Sequence, residues 1–114
     1  MTYNLWIDDL AHDPESPERH APSGWAVAIS SAEAIELIRL FGPPEQVSWD
    51  HDLGTLPDGQ PDTSMTIINY LIDNHYDHDI IYQVHSQNPI GRANIISKME
   101  SWKRSRALQG TTKI

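Results

Sequence analysis

Val47-Ser48-Trp49-Asp50-His51-Asp52-Leu53-Gly54 is the stretch on which the reading of this chain turns. An apolar segment ends at Trp49, and two carboxylates and an imidazole follow at Asp50, His51 and Asp52. Two other segments end in the same way: Leu5-Trp6-Ile7 runs into Asp8-Asp9, and Ile80-Ile81-Tyr82-Gln83-Val84 runs into His85-Ser86-Gln87-Asn88. In an open sheet of parallel strands, ligands bind in the crevice outside the carboxyl ends of the strands. The three polar tips are therefore expected to meet at one sheet edge, which reads as an active site.

Working outward, Tyr3 to Ile7 reads as a buried strand. Leu10 to Ser23 carries three prolines and no apolar periodicity, so it reads as a loop. Gly24 to Ile29 is a second strand, and Ser30-Ser31-Ala32-Glu33 has the form of a capping box that starts a helix. Ala34, Ile35, Leu37, Ile38 and Phe41 give that helix its apolar spacing until Gly42-Pro43-Pro44 stops it. Gln46 to Trp49 is the third strand. Leu53 to Asp62, with two glycines and two prolines, reads as a mobile loop beside the acidic tip.

Thr63 or Ser64 caps a second helix with Ile67, Ile68, Leu71 and Ile72 as its buried stripe. Asp79 to Val84 reads as a fourth strand covered on both faces. Asn88 as cap and Pro89 in the first turn start a final helix across Gly91 to Arg106, and the weakly patterned 108–114 reads as a loose tail. Alternating strands and helices imply an α/β sandwich with right-handed crossovers, three layers deep around a short, about four-stranded, mainly parallel sheet.

The 114 residues suit one domain, 1–114, without internal repeats. No apolar run approaches the roughly 18 residues of a membrane span, and the N-terminus has no leader pattern, so a cytoplasmic protein without membrane contact is expected. With no cysteine, a metal would be held by carboxylates, imidazoles, carbonyls and water, which favours a hard ion such as magnesium or manganese. The net charge of −8 argues against a broad nucleic-acid surface and favours a small phosphorylated ligand. Lys98, Lys103, Arg104, Arg106 and Lys113 crowd the last seventeen residues, as a solvated helix face or a basic rim.

Asp8 and Asp9 cannot both point the same way from an extended strand, but at its frayed end one can turn toward a shared site. Asp50 and Asp52 lie on one side of an extended segment and could bracket one ion. Neighbouring carboxylates raise each other's proton affinity unless a cation relieves them. His85, ending a buried strand, is placed as a general acid or base. The backbone amides of the helix that begins after Asn88 favour an anion, and Arg92 in its first turn could clamp a phosphate or make a surface ion pair. His12, His20, His75 and His78 read as surface residues, and the four tryptophans as packing.

From Gly24 onward, the order of strands and helices resembles the receiver domains of two-component signalling. Asp8-Asp9 looks like the receiver's acidic pair, Asp50 falls at its phospho-accepting aspartate, and His85-Ser86 at its hydroxyl position. Three departures stand out: a loop replaces the first helix, the final strand with its lysine is not evident, and Trp49 to Gly54 is not a receiver signature. These features are similar to the cyclic-phosphate-processing receiver domains. That family's pattern has an Asp-Asp strand end, an Asp-His-Asp-Leu-Gly tip and a His-Ser-x-Asn-Pro-x-Gly-x-x-Asn run, here His85 to Asn94.

The resemblance implies a metal-supported phosphoesterase acting on a cyclic phosphate or related phosphodiester, of a nucleotide or an RNA end. On that expectation Asp8, Asp9, Asp50 and Asp52 hold the ion, and His85, His51 and Asp50 form the catalytic set. Ser86, Asn88, Gly91, Arg92 and Asn94 bind phosphate or fix His85. The alternatives are a non-catalytic receiver-like module that binds metal and a phosphorylated ligand or protein partner, with Asp50 as a phosphate acceptor, and an interaction protein with a vestigial pocket. Small stand-alone versions suit phage or bacterial genomes. The oligomeric state is left open, since a four-stranded sheet has edges that a second copy can cover or not.

Overall fold

The computed structural model describes residues 2–76 and 79–112, with side chains as far as residue 106. Strands β1 (Asn4–Ile7), β2 (Ala26–Ala28), β3 (Gln46–Trp49) and β6 (Ile81–Val84) form one parallel sheet in the order β2-β1-β3-β6. Strands β4 (Asp52–Thr55) and β5 (Pro61–Thr63) form a separate antiparallel pair. The helices are α1 (Ser31–Phe41), α2 (Met65–Asp73) and α3 (Pro89–Thr112). This is an α/β receiver-like fold, and the strand order reverses between β1 and β3, where the two aspartate-tipped strands lie side by side.

The register divides the strand residues into two faces. Leu5 and Ile7 align with Val47 and Trp49 and with Ala26 and Ala28, and this face carries the core. Ala34 and Ile38 of α1, Ile67, Ile68 and Leu71 of α2, and Ile95, Met99 and Trp102 of α3 complete it. The other face aligns Trp6, Ser48 and Gln83. The chain between β1 and β2 closes over it, with Trp6 Nε1 donating to the Arg19 carbonyl at 2.9 Å and Trp25 packed edge-on to Trp6. Side chains alternate along strands, so the next residues on this second face beyond the strand ends are Asp8, Asp50 and His85.

The capping box forms with a variation. Ser30 Oγ accepts from the Glu33 amide at 3.1 Å, while the Glu33 carboxylate takes the Ile29 amide instead of that of Ser30. At the other end Gly42, at φ +82°, closes α1 with its N–H on the Ile38 carbonyl. Ser64 stands at the cap position of α2, but its hydroxyl donates to the Asp50 carbonyl, so Thr63 Oγ1 serves the Met65 amide instead. That bond ties the start of α2 to the acidic tip.

Three expectations need correction. The segment 53–62 is not a mobile loop but contains most of the β4–β5 hairpin, turned at Leu56–Gln60 with Gly59 at φ +87°. Its Asp62 is buried and accepts the Ser31 amide at 2.9 Å, which pins the hairpin to α1. The fourth sheet strand is not covered on both faces: β6 is the outer strand beside β3, and Ile81 is 61% exposed. Helix α3 begins at Pro89 and its backbone continues through Thr112, beyond the 91–106 expected for it; residues 113 and 114 lie outside the described residues. No helix among the described residues is long and apolar enough to cross a membrane.

Candidate functional site

Asp8 ends β1 fully buried, and its carboxylate accepts four hydrogen bonds. Oδ1 takes the Leu10 amide and Arg19 Nη2, each at 2.8 Å, and Oδ2 takes Arg19 Nε at 2.5 Å and His85 Nε2 at 3.0 Å. An ionised carboxylate offers about four lone-pair sites, so Asp8 is saturated. Arg19 Nη2 also reaches Asp50 Oδ2 at 2.7 Å and stands 3.7 Å from Asp9 Oδ1. One guanidinium thus bridges a cluster of three aspartates and offsets part of their charge, and its own pKa is raised chiefly by the hydrogen bond to Asp8.

Arg19 is held in place by its backbone. It closes a 3-10 turn, Pro17–Arg19, after a chain of tight turns in which Ser16 bonds back to Asp13 and Arg19 to Ser16. Its carbonyl is the acceptor for the Trp6 indole. Burial pushes Asp50 up to about 6, helped by the charge of Asp8 and opposed by Arg19. Burial and Asp8 likewise raise Asp9, which is more open to solvent.

His85 lies behind this cluster, stacked on Trp6 with ring centroids 4.1 Å apart. Its Nε2 faces Asp8, which can only accept, so the neutral imidazole carries its proton there. Nδ1 then accepts from buried Ser48 Oγ at 2.7 Å, and Gln83 Nε2 donates to the same oxygen at 3.0 Å. Both ring nitrogens are committed. Burial lowers the His85 pKa, with Asp8 pulling the other way.

The other wall is built around Asp52. Its Oδ1 meets His51 Nδ1 at 2.9 Å and its Oδ2 accepts Asn88 Nδ2 at 3.1 Å, and the His51 bond leads in lowering its pKa. The His51 ring fills the space over Gly91, where a Cβ would stand 2.3 Å from His51 Cγ, so only glycine fits at this approach. Asn88 Oδ1 caps α3 by accepting the Ile90 and Gly91 amides, each at 3.1 Å, and Ser86 Oγ accepts the Asn88 amide. The first amides of this helix are therefore spent on its own cap.

Between the walls lies an open cleft of about 240 Å³ lined by Asp9, Leu10, Arg19, Asp50, Asp52, Ser86, Gln87 and Asn88. Of the residues singled out in the sequence, Asp9, Asp50, Asp52, Ser86 and Asn88 line it, and Asp8 lies directly beneath. His51, His85 and Gly91 stand behind the lining. Arg92 is exposed and turns its Nη1 to the Val84 carbonyl, and Asn94 is on the exposed side of α3. His12, His20 and His75 are exposed, and His78 lies outside the described residues.

Asp8, Asp9 and Asp50 each offer an oxygen within 4.8 Å of the others, a donor set that could hold a metal ion. The fit is uneven. Asp8 is saturated, whereas Asp9 and Asp50 keep lone pairs on the cleft side, and Asp52 is outside the cluster with both oxygens engaged.

The residue missed in the sequence is Arg19, which reads there as part of an unpatterned loop. A charge signal was available: among residues 1–91, fifteen carboxylates face two cations, Arg19 and Arg39. Arg39 is spent on Glu36 one helical turn away.

Residues 3–101 match the cyclic-phosphate processing receiver domain. No curated protein and no solved structure matches. With that match over nearly its whole length, on a receiver-like sheet whose acidic strand ends meet at the switch point, the chain belongs to the cyclic-phosphate processing receiver domain family.

Proposed function

We propose that the cleft is the active site of a phosphoesterase that opens a cyclic phosphate or a related phosphodiester, in a nucleotide or at an RNA end. The observation that carries this reading is the cleft itself. A fixed guanidinium and open aspartate oxygens on one wall face the hydroxyl and amide groups of Ser86 and Asn88 on the other. Water adds to phosphorus, one ring P–O bond breaks, the departing oxygen takes a proton, and a phosphomonoester results.

Asp9 and Asp50 would hold a divalent ion, magnesium or manganese, with Asp8 beneath them. Bound there, such an ion supplies charge at a phosphoryl oxygen and lowers the pKa of a water. The chain's own residues do the rest. Asp8 and His85 orient Arg19, and Asn88 braces Asp52 while capping α3. The proton acceptors lining the cleft are carboxylates, so His85 acts in this reading through Asp8.

A second reading, a non-catalytic module for a phosphorylated ligand, is favoured by one observation. Arg19, fixed by its bonds to Asp8 and Asp50, presents a cation in the cleft, so an anion can be held without turnover. Incubation with manganese or magnesium and a panel of cyclic mononucleotides, cyclic dinucleotides and 2′,3′-cyclic RNA ends decides between them, beside Asp50→Ala. Metal-dependent ring opening lost in the variant supports the enzyme. Metal-dependent binding without a product supports the module.

A further inference from the structure

We infer that Arg19 is the residue that binds the phosphate of the ligand, and that it does so without releasing Asp8 and Asp50. This rests on the reading of the cleft as a phosphate site. Nothing in the sequence pattern assigns the role to Arg19: the positions that suggest it are Arg92 and the amides at the start of α3.

Both of those are otherwise engaged. Arg92 is exposed, lies outside the cleft lining and donates to the Val84 carbonyl. The Ile90 and Gly91 amides donate to Asn88 Oδ1, and the Arg92 amide closes the first turn on the Asn88 carbonyl at 2.8 Å. An anion in the cleft therefore finds no open helix terminus.

Arg19 is the one cation among the described residues lining the cleft. A guanidinium has five N–H groups in a rigid plane. Nε–H and one Nη2–H are used by Asp8, and the second Nη2–H by Asp50. The two Nη1–H groups make no hydrogen bond among the described residues, and the side chain remains 21% exposed. A planar fork can serve two carboxylates along one edge and still present donors along another, which a point charge cannot. The turn at Pro17–Arg19 and the Trp6 indole fix the backbone from which this fork projects, so little ordering is left for the moment of binding.

Arrangement and charge agree. Asp9, Asp50 and Asp52 line the cleft and would repel a phosphate, and the one cation lining it sits among them. Its permanence follows from Asp8, which is fully buried and would be left with an unpaired charge if Arg19 swung away.

The test is a titration of the full-length protein with inorganic phosphate, followed by calorimetry with saturating Mg²⁺, and a separate titration with Mn²⁺ alone. The chains compared are wild type, Arg19→Gln, Arg19→Lys and Arg92→Gln. Loss of a charge-assisted bond predicts phosphate affinity about tenfold or more weaker in Arg19→Gln, and severalfold weaker in Arg19→Lys, which keeps the charge but loses the fork. Arg92→Gln stays within about twofold of wild type. Mn²⁺ affinity is unchanged or tighter in both Arg19 variants, since a neighbouring cation is removed or moved, and that separates lost phosphate binding from a collapsed site. Should Arg19→Gln fail to fold, Arg19→Lys decides. Wild-type phosphate affinity in the Arg19 variants, or an equal loss in Arg92→Gln, overturns the assignment to Arg19 alone. A wild-type chain that binds no phosphate overturns the reading of the cleft, and the assignment with it.

Discussion

Arg19 and Asp50 are 31 residues apart in the chain and meet through a 2.7 Å hydrogen bond from Nη2 to Oδ2. The same guanidinium grips fully buried Asp8, so one side chain from the Pro-rich segment joins the tips of β1 and β3. Removing a partner from a buried pair leaves an uncompensated charge and costs about 3–5 kcal/mol. Asp8→Ala is therefore expected to lose about 3 kcal/mol or more, and Asp9→Ala, more exposed and only 3.7 Å from Arg19, about 1 kcal/mol or less. Urea unfolding followed by tryptophan fluorescence measures both.

The pH dependence of stability reports Asp50. Its folded pKa is raised from 3.8 to about 6, so the protonated carboxyl is the form the fold prefers. Its contribution is complete below about pH 4 and is lost as pH rises through about 6. With a chelator present, wild-type melting temperature is expected to fall across that window more steeply than that of Asp50→Asn. Parallel curves would show that Asp50 does not carry the effect.

Metal loading distinguishes the aspartates. A ligand that binds only the folded chain stabilises it by about 2.7 kcal/mol at a hundredfold excess over Kd. Mn²⁺ is expected to raise the melting temperature of wild type and of Asp52→Asn, and to do little for Asp9→Asn or Asp50→Asn. A lost response in Asp52→Asn would return that residue to the ion.

Gly91 and His51 form a size-coupled pair. Alanine in a helix interior gains about 1 kcal/mol over glycine, but here its Cβ meets the base of a half-buried ring at 2.3 Å from His51 Cγ. Overpacking of this kind costs about 1–3 kcal/mol. Gly91→Ala should be destabilising in the wild-type chain and less so in a His51→Ala background, which removes the ring but keeps a Cβ 2.8 Å away, measured as a double-mutant cycle.

His85 separates positioning from proton transfer. With both nitrogens committed to Ser48 and Asp8, His85→Gln is expected to weaken phosphate binding by loosening Asp8 and Arg19, while the pH optimum of any turnover stays in place. A displaced optimum with unchanged binding would restore His85 as the proton carrier.

Much of the fold was legible in the chain because it rests on local chemistry. Ser30 and Glu33 start α1, Gly42 ends it, and the alternation of apolar runs with helical stripes specifies a parallel sheet with acidic strand ends. The hairpin at 52–63 escaped the reading because its strands are short and its Pro57-Asp58-Gly59 turn is indistinguishable from loop punctuation. What holds it is Asp62 on the Ser31 amide, a contact between distant segments. The edge position of β6 escaped for a related reason: an apolar strand does not announce how many neighbours it has.

At the site, the sequence by itself determined that Asp8, Asp9, Asp50, Asp52, Ser86 and Asn88 would come to one edge, since strand ends in a parallel sheet share a direction. Only the tertiary structure decided what each does there. It spent the α3 amides on Asn88, turned Arg92 away, set His85 behind Asp8, and brought Arg19 from a segment with no pattern of its own. The physical reason is charge: buried carboxylates need a cation, and a long flexible side chain can supply it from any segment that passes within reach, a choice that no local periodicity records.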